Sequence, residues 1–236
     1  MIPIKDDNPT YTFPVITILL ILANIGVFIY QFLMGQGAQA FISKLGAIPW
    51  EITHFRELPG LPLEYRSEFP NILTLFTSMF LHGGLFHLLG NMLYLWIFGD
   101  NIEALVGHAR FLVFYLCCGL VATLSHVISD PASTTPMVGA SGAISGVLGA
   151  YFLRFPRAKV HVLFFFLFFI RVIRVSALFV LGFWFLMQVL NGFGSLGFQR
   201  GGGIAWFAHI GGFVAGMVLV FFFEKKDRVR YYRRST

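Results

Sequence analysis

Long apolar segments, separated by polar or basic stretches, make up about half of the chain. Six of them approach the length of about 20 residues that an α-helix needs to cross a bilayer. They occupy residues 14–34, 83–103, 111–129, 139–155, 176–191 and 203–223. The fourth would extend only about 25 Å as a helix. This pattern predicts an all-α, polytopic membrane protein: a bundle of six transmembrane helices with a short fourth helix.

The amino-acid composition argues against a water-soluble domain. Of the 236 residues, 57% are hydrophobic and only 12% are charged, so a soluble protein of this length would lack the polar side chains to cover its surface. The pattern divides the chain into a short N-terminal tail (residues 1–13), a membrane domain (residues 14–223) and a basic C-terminal tail (residues 224–236). The first partner that the sequence implies is therefore the lipid bilayer.

One further apolar run, residues 162–169, is too short to cross a bilayer and has basic residues on both sides. Aromatic and basic side chains are both common at the boundary between lipid and water. We therefore interpret this run as an interfacial element that joins the fourth and fifth spans.

The basic residues predict the orientation of the bundle. If both tails and the connections after spans two and four share one side, that side holds thirteen of the seventeen lysines and arginines. Such an excess predicts that both termini are cytoplasmic. The net charge of +6 then follows from topology and from contact with anionic lipid, and no nucleic-acid partner is expected.

The start of the chain and its cysteines narrow the picture further. Asp6 and Asp7 precede the first apolar segment, which argues against a cleaved signal peptide and against an organelle transit peptide. We therefore expect a multi-pass protein of the plasma (cell inner) membrane. Cys117 and Cys118 are adjacent, a spacing that suits neither a disulfide framework nor a metal site. No metal and no cofactor are expected.

Polar residues inside apolar spans are costly, so they are the first candidates for function. His87 and Asn91 are four residues apart in span two and therefore project from one helix face. Ser141 and Ser145 have the same spacing near the start of span four. The other polar residues at membrane depth include Gln188 in span five and His209 in span six, with His82 just before span two.

Small residues suggest which spans meet. Gly212 and Gly216 share a helix face with His209, and Gly142 and Gly146 offer a matching surface on span four. Small residues let transmembrane helices approach closely. If these two faces pack together, Ser141 comes within hydrogen-bond reach of His209, which is the minimal pair of nucleophile and base.

Structural explanations compete with this chemistry. A Gly/Ser-rich helix start often serves packing alone, and a lone transmembrane histidine can belong to an ion path. A transporter or channel would commonly show repeats, intramembrane acids or broken helices, and these are absent from the sequence. The acidic residues near the spans, Asp100, Glu103 and Asp130, lie at span ends, so the predicted pair is a dyad and not a triad. The chain also lacks a zinc-protease H-E-x-x-H motif.

Apart from Gln188, the polar candidates named above lie in three sequence blocks. The blocks are HGGLFHLLGNM (82–92), GASGAISG (139–146) and AHIGGFVAG (208–216). Together, and in this order, they resemble the signature blocks of the rhomboid intramembrane serine proteases. The resemblance covers nearly the whole chain. It implies a six-helix bundle that is open to water from its outer face, with span five moving to admit substrate. The substrates that it implies are transmembrane segments of membrane proteins.

The resemblance also assigns roles to individual residues. It implies that Ser141 is the nucleophile and that His209 is the general base. The oxyanion would be bound by His87, Asn91 and the backbone amide of Ser141, and His82 would line the same water-filled cavity.

One departure from some members of that family concerns the catalytic imidazole. Ser145 stands where they carry a tyrosine that packs on this ring, so other contacts must orient His209. The small Ser145 is expected to line the cavity with His82 and to leave room beside His209. The alternative function is that of a catalytically inactive relative that binds transmembrane segments. Members of that class usually lack the serine or the histidine, and this sequence retains both.

Overall fold

The computed structural model describes residues 2–67, 69–166, 169–195, 205–225 and 227–228, and these are mostly helical. Short 3₁₀ turns occur at Gly35–Gly37, Leu63–Tyr65, Asn71–Leu73 and Ser78–Phe80. The α-helices of the described part, numbered in chain order, are α1 (Val15–Leu33), α2 (Ala38–Leu45), α3 (Pro49–His54), α4 (Thr74–Thr77), α5 (Leu85–Val106), α6 (His108–Ser129), α7 (Ser141–Arg154), α8 (Ala177–Ser195) and α9 (Trp206–Phe223).

The helices make this a multi-pass membrane protein. Among the described residues, α1, α6, α8 and α9 are each long and apolar enough to cross a bilayer. Helix α5 joins them only if it is taken together with the short helices of Asn71–Phe80, from which it is bent by 79°. Helix α7, at 14 residues, extends about 21 Å and is therefore shorter than the hydrocarbon core of a bilayer.

Helix α7 can be this short because other helices enclose it. It packs against α9, α6 and α5, and every residue from Gly142 to Tyr151 is buried. The largest fully buried side chains around it include Phe98, Tyr115 and Phe213. The core of the molecule therefore surrounds α7, whereas α1 and α8 bury few of their residues.

The expectation of an all-α chain is wrong, because the described part also contains a three-stranded antiparallel sheet. Its strands are β1 (Ile2–Asp6), β2 (Lys159–Phe166) and β3 (Phe169–Ser176), in the order β1-β2-β3. Valine, isoleucine and phenylalanine, which favour strands, are abundant in β2 and β3. Most of the run 162–169, interpreted above as an interfacial element, thus forms part of a β-hairpin between α7 and α8, and residues 167–168 lie outside the described part.

Two neighbouring carboxyl groups hold the N-terminal strand in place, Asp6 by joining it to α7 and Asp7 by joining it to β2. The hydroxyl of Tyr151 donates to Asp6, and Asp7 Oδ1 lies 2.6 Å from His161 Nε2 on β2. Burial raises the pKa of Asp6 to about 7, while the hydrogen bond with His161 holds the pKa of Asp7 below its usual range. The first residues of the predicted N-terminal tail are therefore an integral part of the fold.

Four segments meet at the same end of the bundle. Strand β1 and the β2–β3 hairpin are paired with each other. At the end of α9, Glu224 Oε2 lies 2.7 Å from Arg154 Nε of α7, and the amide of Lys225 donates to Leu105 O near the α5–α6 junction. The N-terminal strand, both predicted inner connections and the end of α9 thus lie on one side. Residues 226 and 229–236 of the predicted basic tail lie outside the described part.

A buried carboxylate anchors the start of α1. Glu103 of α5 is fully buried; it accepts hydrogen bonds from the amides of Ile16 and Thr17 at 2.9 and 2.8 Å and from the hydroxyl of Thr17 at 2.7 Å. His108 Nδ1 lies 2.5 Å from Oε1, the oxygen that also accepts from the amide of Ile16. The first amides of a helix have no partner within that helix and favour negative charge, so Glu103 joins α1 to the α5–α6 junction.

We expect Glu103→Ala to lower the free energy of unfolding by about 3 kcal/mol, because it leaves buried donors without an acceptor. The measurement is the unfolding of the detergent-solubilised protein by sodium dodecyl sulfate. The control is Glu64→Ala, which removes an exposed carboxylate. Equal unfolding midpoints for the two variants would contradict the anchoring role of Glu103.

Candidate active site

Ser141 is the first residue of α7, and the chain reaches it through a turn that only glycine adopts easily. Gly139 has φ +125°, and its amide donates to Ser78 O at 2.9 Å. A Cβ at Gly139 would also lie 2.7 Å from His87 Cε1. Gly139 is therefore required both for the turn and for the approach of His87. The first amides of α7 have no intrahelical partner, and they lie next to Ser141.

The structure brings Ser141 and His209 together. His209 Nε2 of α9 lies 2.8 Å from Ser141 Oγ, and both side chains are partly buried. A neutral imidazole at this distance can take the hydroxyl proton, which would make the serine oxygen a nucleophile.

This closeness depends on glycines between α7 and α9. A Cβ on Gly212 would overlap the carbonyl oxygen of Gly142, and a Cβ on Gly216 would overlap that of Gly146. Gly149 likewise lies against the backbone of Phe213. We call these glycines the α7–α9 seam. It contains all four glycines to which the sequence assigned a packing role.

The other ring nitrogen of His209, Nδ1, also has a partner, which is Gln188. The sequence assigned no role to Gln188. His209 Nδ1 lies 2.8 Å from Oε1 of Gln188 on α8, and Gln188 is only 6% exposed. The imidazole is flanked by two indole rings, with centroids 5.8 Å away for Trp184 and 6.4 Å for Trp206. The sequence signal was available, because Trp184 and Gln188 are four residues apart and share a helix face.

His87 and Asn91 lie one turn apart on α5 and both approach the turn before Ser141. A Cβ on Gly139 would be 2.9 Å from His87 Nε2 and 3.7 Å from Asn91 Nδ2. His87 is exposed, whereas Asn91 is 8% exposed. Both side chains thus reach the region where the unpaired amides of α7 begin.

His82 is buried rather than open to a cavity. It is 1% exposed, its Nε2 lies 3.0 Å from Asn91 Nδ2, and its ring meets that of His87 at a centroid distance of 5.2 Å. Gln31 of α1 bonds both the amide and the carbonyl of His82, each at 3.1 Å. No local sequence pattern selects Gln31, because its partner is 51 residues away.

Ser145, the second serine of the block, is turned away from the contact between the Ser141 hydroxyl and His209. It is fully buried, and its hydroxyl donates to the carbonyl of Ser141 at 2.6 Å. A small cavity of about 20 Å³ adjoins Ser141; its lining includes Met79, Ala205 and Ala208. Neither His82 nor Ser145 is among its lining residues. Within the part of the chain that the structure describes, no group of His, Cys, Asp or Glu is arranged to hold a metal ion.

Comparison with known sequences places this geometry in a family. The model of the Rhomboid domain matches residues 70–226, and all three sequence blocks lie inside this range. The chain belongs to the rhomboid family. The matched range begins after α1, α2 and α3. Strand β1 and the start of α1, which is bound by Glu103, therefore lie outside the matched range.

Two relatives of this rhomboid chain are named as proteases, one of them as a putative protease, and a third is named as rhomboid-like. Rhomboid protease GluP of Bacillus subtilis is 33% identical over 133 residues, which are 54% of this chain and 24% of GluP. The putative rhomboid protease YdcA of the same organism is 38% identical over 77 residues, 33% of this chain and 38% of YdcA. The human presenilin-associated rhomboid-like protein, mitochondrial, is 34% identical over 89 residues, 37% of this chain and 24% of that protein. The matches thus span less than two fifths of each relative.

Proposed function

We propose that this rhomboid protein is an intramembrane serine endopeptidase, which cleaves transmembrane segments of membrane proteins with a Ser141–His209 dyad. The observation that carries the proposal is the 2.8 Å distance between His209 Nε2 and Ser141 Oγ. A serine at the first residue of an enclosed helix, with an imidazole on its hydroxyl, has the geometry of nucleophile and base. The relatives that are named as proteases support the same activity.

The reaction uses the two residues in turn. Ser141 Oγ attacks the carbonyl carbon of the scissile bond while its proton passes to His209 Nε2. The imidazolium then gives this proton to the leaving amine, and the peptide bond breaks to leave an acyl group on Ser141. Water, deprotonated by His209, attacks the acyl carbonyl. The bond from the acyl carbon to Ser141 Oγ then breaks, the imidazolium returns its proton to that oxygen, and the second product leaves as a carboxylic acid.

The negative charge of each tetrahedral intermediate is bound by donors that already converge on the start of α7. These are the amide of Ser141 and the side chains of His87 and Asn91, which lie beside Gly139. Donors held in place before the reaction stabilise a developing oxyanion without reorganisation. The helix dipole of α7 contributes in the same direction, because its positive end lies at Ser141.

In the membrane, the protein forms a bundle of six spans, in which α5 and the short α7 join the four helices that are each long and apolar enough to cross a bilayer. Because α7 is shorter than the hydrocarbon core is thick, Ser141 lies below the outer surface, and water reaches it from that face. The side that carries the sheet and most basic residues is cytoplasmic, so both termini are cytoplasmic and the protein resides in the plasma membrane.

The substrates are transmembrane segments that unwind close to Ser141, since a helical backbone hides its carbonyl groups. The small cavity beside Ser141, at about 20 Å³, supports a preference for a small residue, such as alanine, glycine or serine, before the cleaved bond. No metal ion or cofactor takes part in these steps.

A fluorophosphonate probe tests the nucleophile directly. We expect the probe to label the wild-type protein in detergent at Ser141, as located by mass spectrometry of the digested protein. Labelling should disappear in Ser141→Ala and persist in Ser145→Ala, because the Ser145 hydroxyl is buried and bonded to a backbone carbonyl. A probe adduct on Ser145, or on Ser141→Ala at the wild-type rate, would refute the assignment.

A further inference from the structure

The side-chain amide of Gln188 forms a bridge between the backbone of α8 and the imidazole of His209. Gln188 Nε2 donates to the carbonyl oxygen of Trp184, one turn earlier, at 3.2 Å. Gln188 Oε1 faces His209 Nδ1 at 2.8 Å. With 6% of the residue exposed, few water molecules compete for these two bonds.

The direction of every hydrogen bond in this chain follows from its first member. A backbone carbonyl only accepts, so the NH₂ group of Gln188 must point to Trp184 O and its oxygen must face His209. An amide oxygen also only accepts, so Nδ1 of the imidazole must carry the proton. In the neutral ring Nε2 is then unprotonated and accepts from the Ser141 hydroxyl, 2.8 Å away.

We infer that Gln188 is a positioning residue, which holds His209 in the tautomer that can deprotonate Ser141. The inference rests on the proposed function and extends it from a dyad to an oriented chain of Trp184 O, Gln188, His209 and Ser141. In the other tautomer the proton sits on Nε2 and faces Ser141 Oγ, so the ring has no lone pair to offer the hydroxyl.

In the surroundings of His209, the residue that can fix the imidazole tautomer lies on α8. Among the described residues, no carboxylate hydrogen-bonds the imidazole, and its two ring nitrogens face Gln188 and Ser141. Ser145 is too small to pack on the ring as an aromatic residue would, whereas the Trp184 ring lies 5.8 Å from it. A neutral amide also fixes the tautomer at a lower desolvation cost than a buried carboxylate.

Three variants test the role by kinetics with a cleavable transmembrane peptide. We expect Gln188→Met, which keeps the length of the side chain but accepts weakly, to lower kcat by about tenfold or more with little change in KM. Gln188→Glu retains an accepting oxygen and should restore most of kcat. The matched control is Asn191→Leu, which removes an exposed amide of the same helix; within the described ranges this amide donates to Met187 O alone, at 2.7 Å. This variant should behave as wild type.

A spectroscopic measurement tests the tautomer without requiring catalysis. In ¹⁵N-histidine-labelled protein, with His209 assigned by comparison with His209→Ala, we expect Nδ1 to be protonated and Nε2 unprotonated, and this state to be lost in Gln188→Met. If Gln188→Met fails to fold, the wild-type and Gln188→Glu spectra still decide the point. A proton on Nε2 in the wild type, or an unchanged kcat in Gln188→Met, would overturn the inference.

These outcomes separate the inference from the proposed function. If Ser141→Ala cleaves as well as wild type, the proposed function fails, whatever Gln188 does. If Ser141→Ala is inactive and Gln188→Met is fully active, the protease assignment stands and the positioning role of Gln188 is wrong.

Discussion

Ser141→Ala is expected to lose on the order of 10⁴-fold or more in kcat/KM for cleavage of a reporter transmembrane peptide, because no other hydroxyl replaces the nucleophile. His209→Ala should lose a similar factor, since it removes the group that lies 2.8 Å from Ser141 Oγ. The measurement is peptide cleavage in liposomes, followed by mass spectrometry of the products.

The double variant sharpens this prediction. Residues that act as one unit are not additive, so Ser141→Ala/His209→Ala should be no slower than either single variant. Ser145→Ala serves as the matched control, because it removes a serine hydroxyl one turn along the same helix. Substantial cleavage by Ser141→Ala, or multiplied losses in the double variant, would contradict a shared mechanism.

The second large effect concerns the α7–α9 seam. We expect Gly216→Ala to lower the free energy of unfolding by about 2 kcal/mol and to abolish most cleavage, because its methyl group would overlap the carbonyl oxygen of Gly146. Backbone atoms cannot rotate away as a flexible side chain can, so the two helices must separate. That separation also moves His209 away from Ser141.

The control for the seam is the same substitution at Gly90 of α5, where a Cβ would meet no atom within 4 Å. Gly90→Ala should leave cleavage unchanged and stabilise α5 slightly, because alanine favours a helix over glycine. Both variants are compared by unfolding in sodium dodecyl sulfate and by peptide cleavage. If Gly216→Ala matches Gly90→Ala in both measurements, close packing of the seam is not needed.

The helices were predictable because their signals are local. Spans of apolar residues indicated all the long helices, and the spacing of Gly212 and Gly216 from His209 indicated the face that meets α7. Small residues in a transmembrane segment carry this information because they determine how closely backbones approach.

The sheet and the hydrogen bonds between distant residues were not predictable in the same way. Residues of β2 and β3 are apolar and basic, as those of an interfacial segment also are. Pairing between strands, including that with β1, is what distinguishes a sheet from such a segment. The partner of His82, Gln31, lies 51 residues away, and that of His209, Gln188, lies 21 residues away on another helix. A hydrogen bond between distant residues leaves no periodic pattern in one sequence, so these contacts emerge only from the packed helices.

The pairing of β1 has a consequence for biosynthesis. Asp7, beside β1, and its partner His161 of β2 are separated by 154 positions, so β1 is synthesised well before the strand with which it pairs. During translation its unpaired edge must remain on the side where β2 will emerge. The helix that carries Ser141 is synthesised just before β2, so β1 reaches its place in the sheet only after that serine has been synthesised.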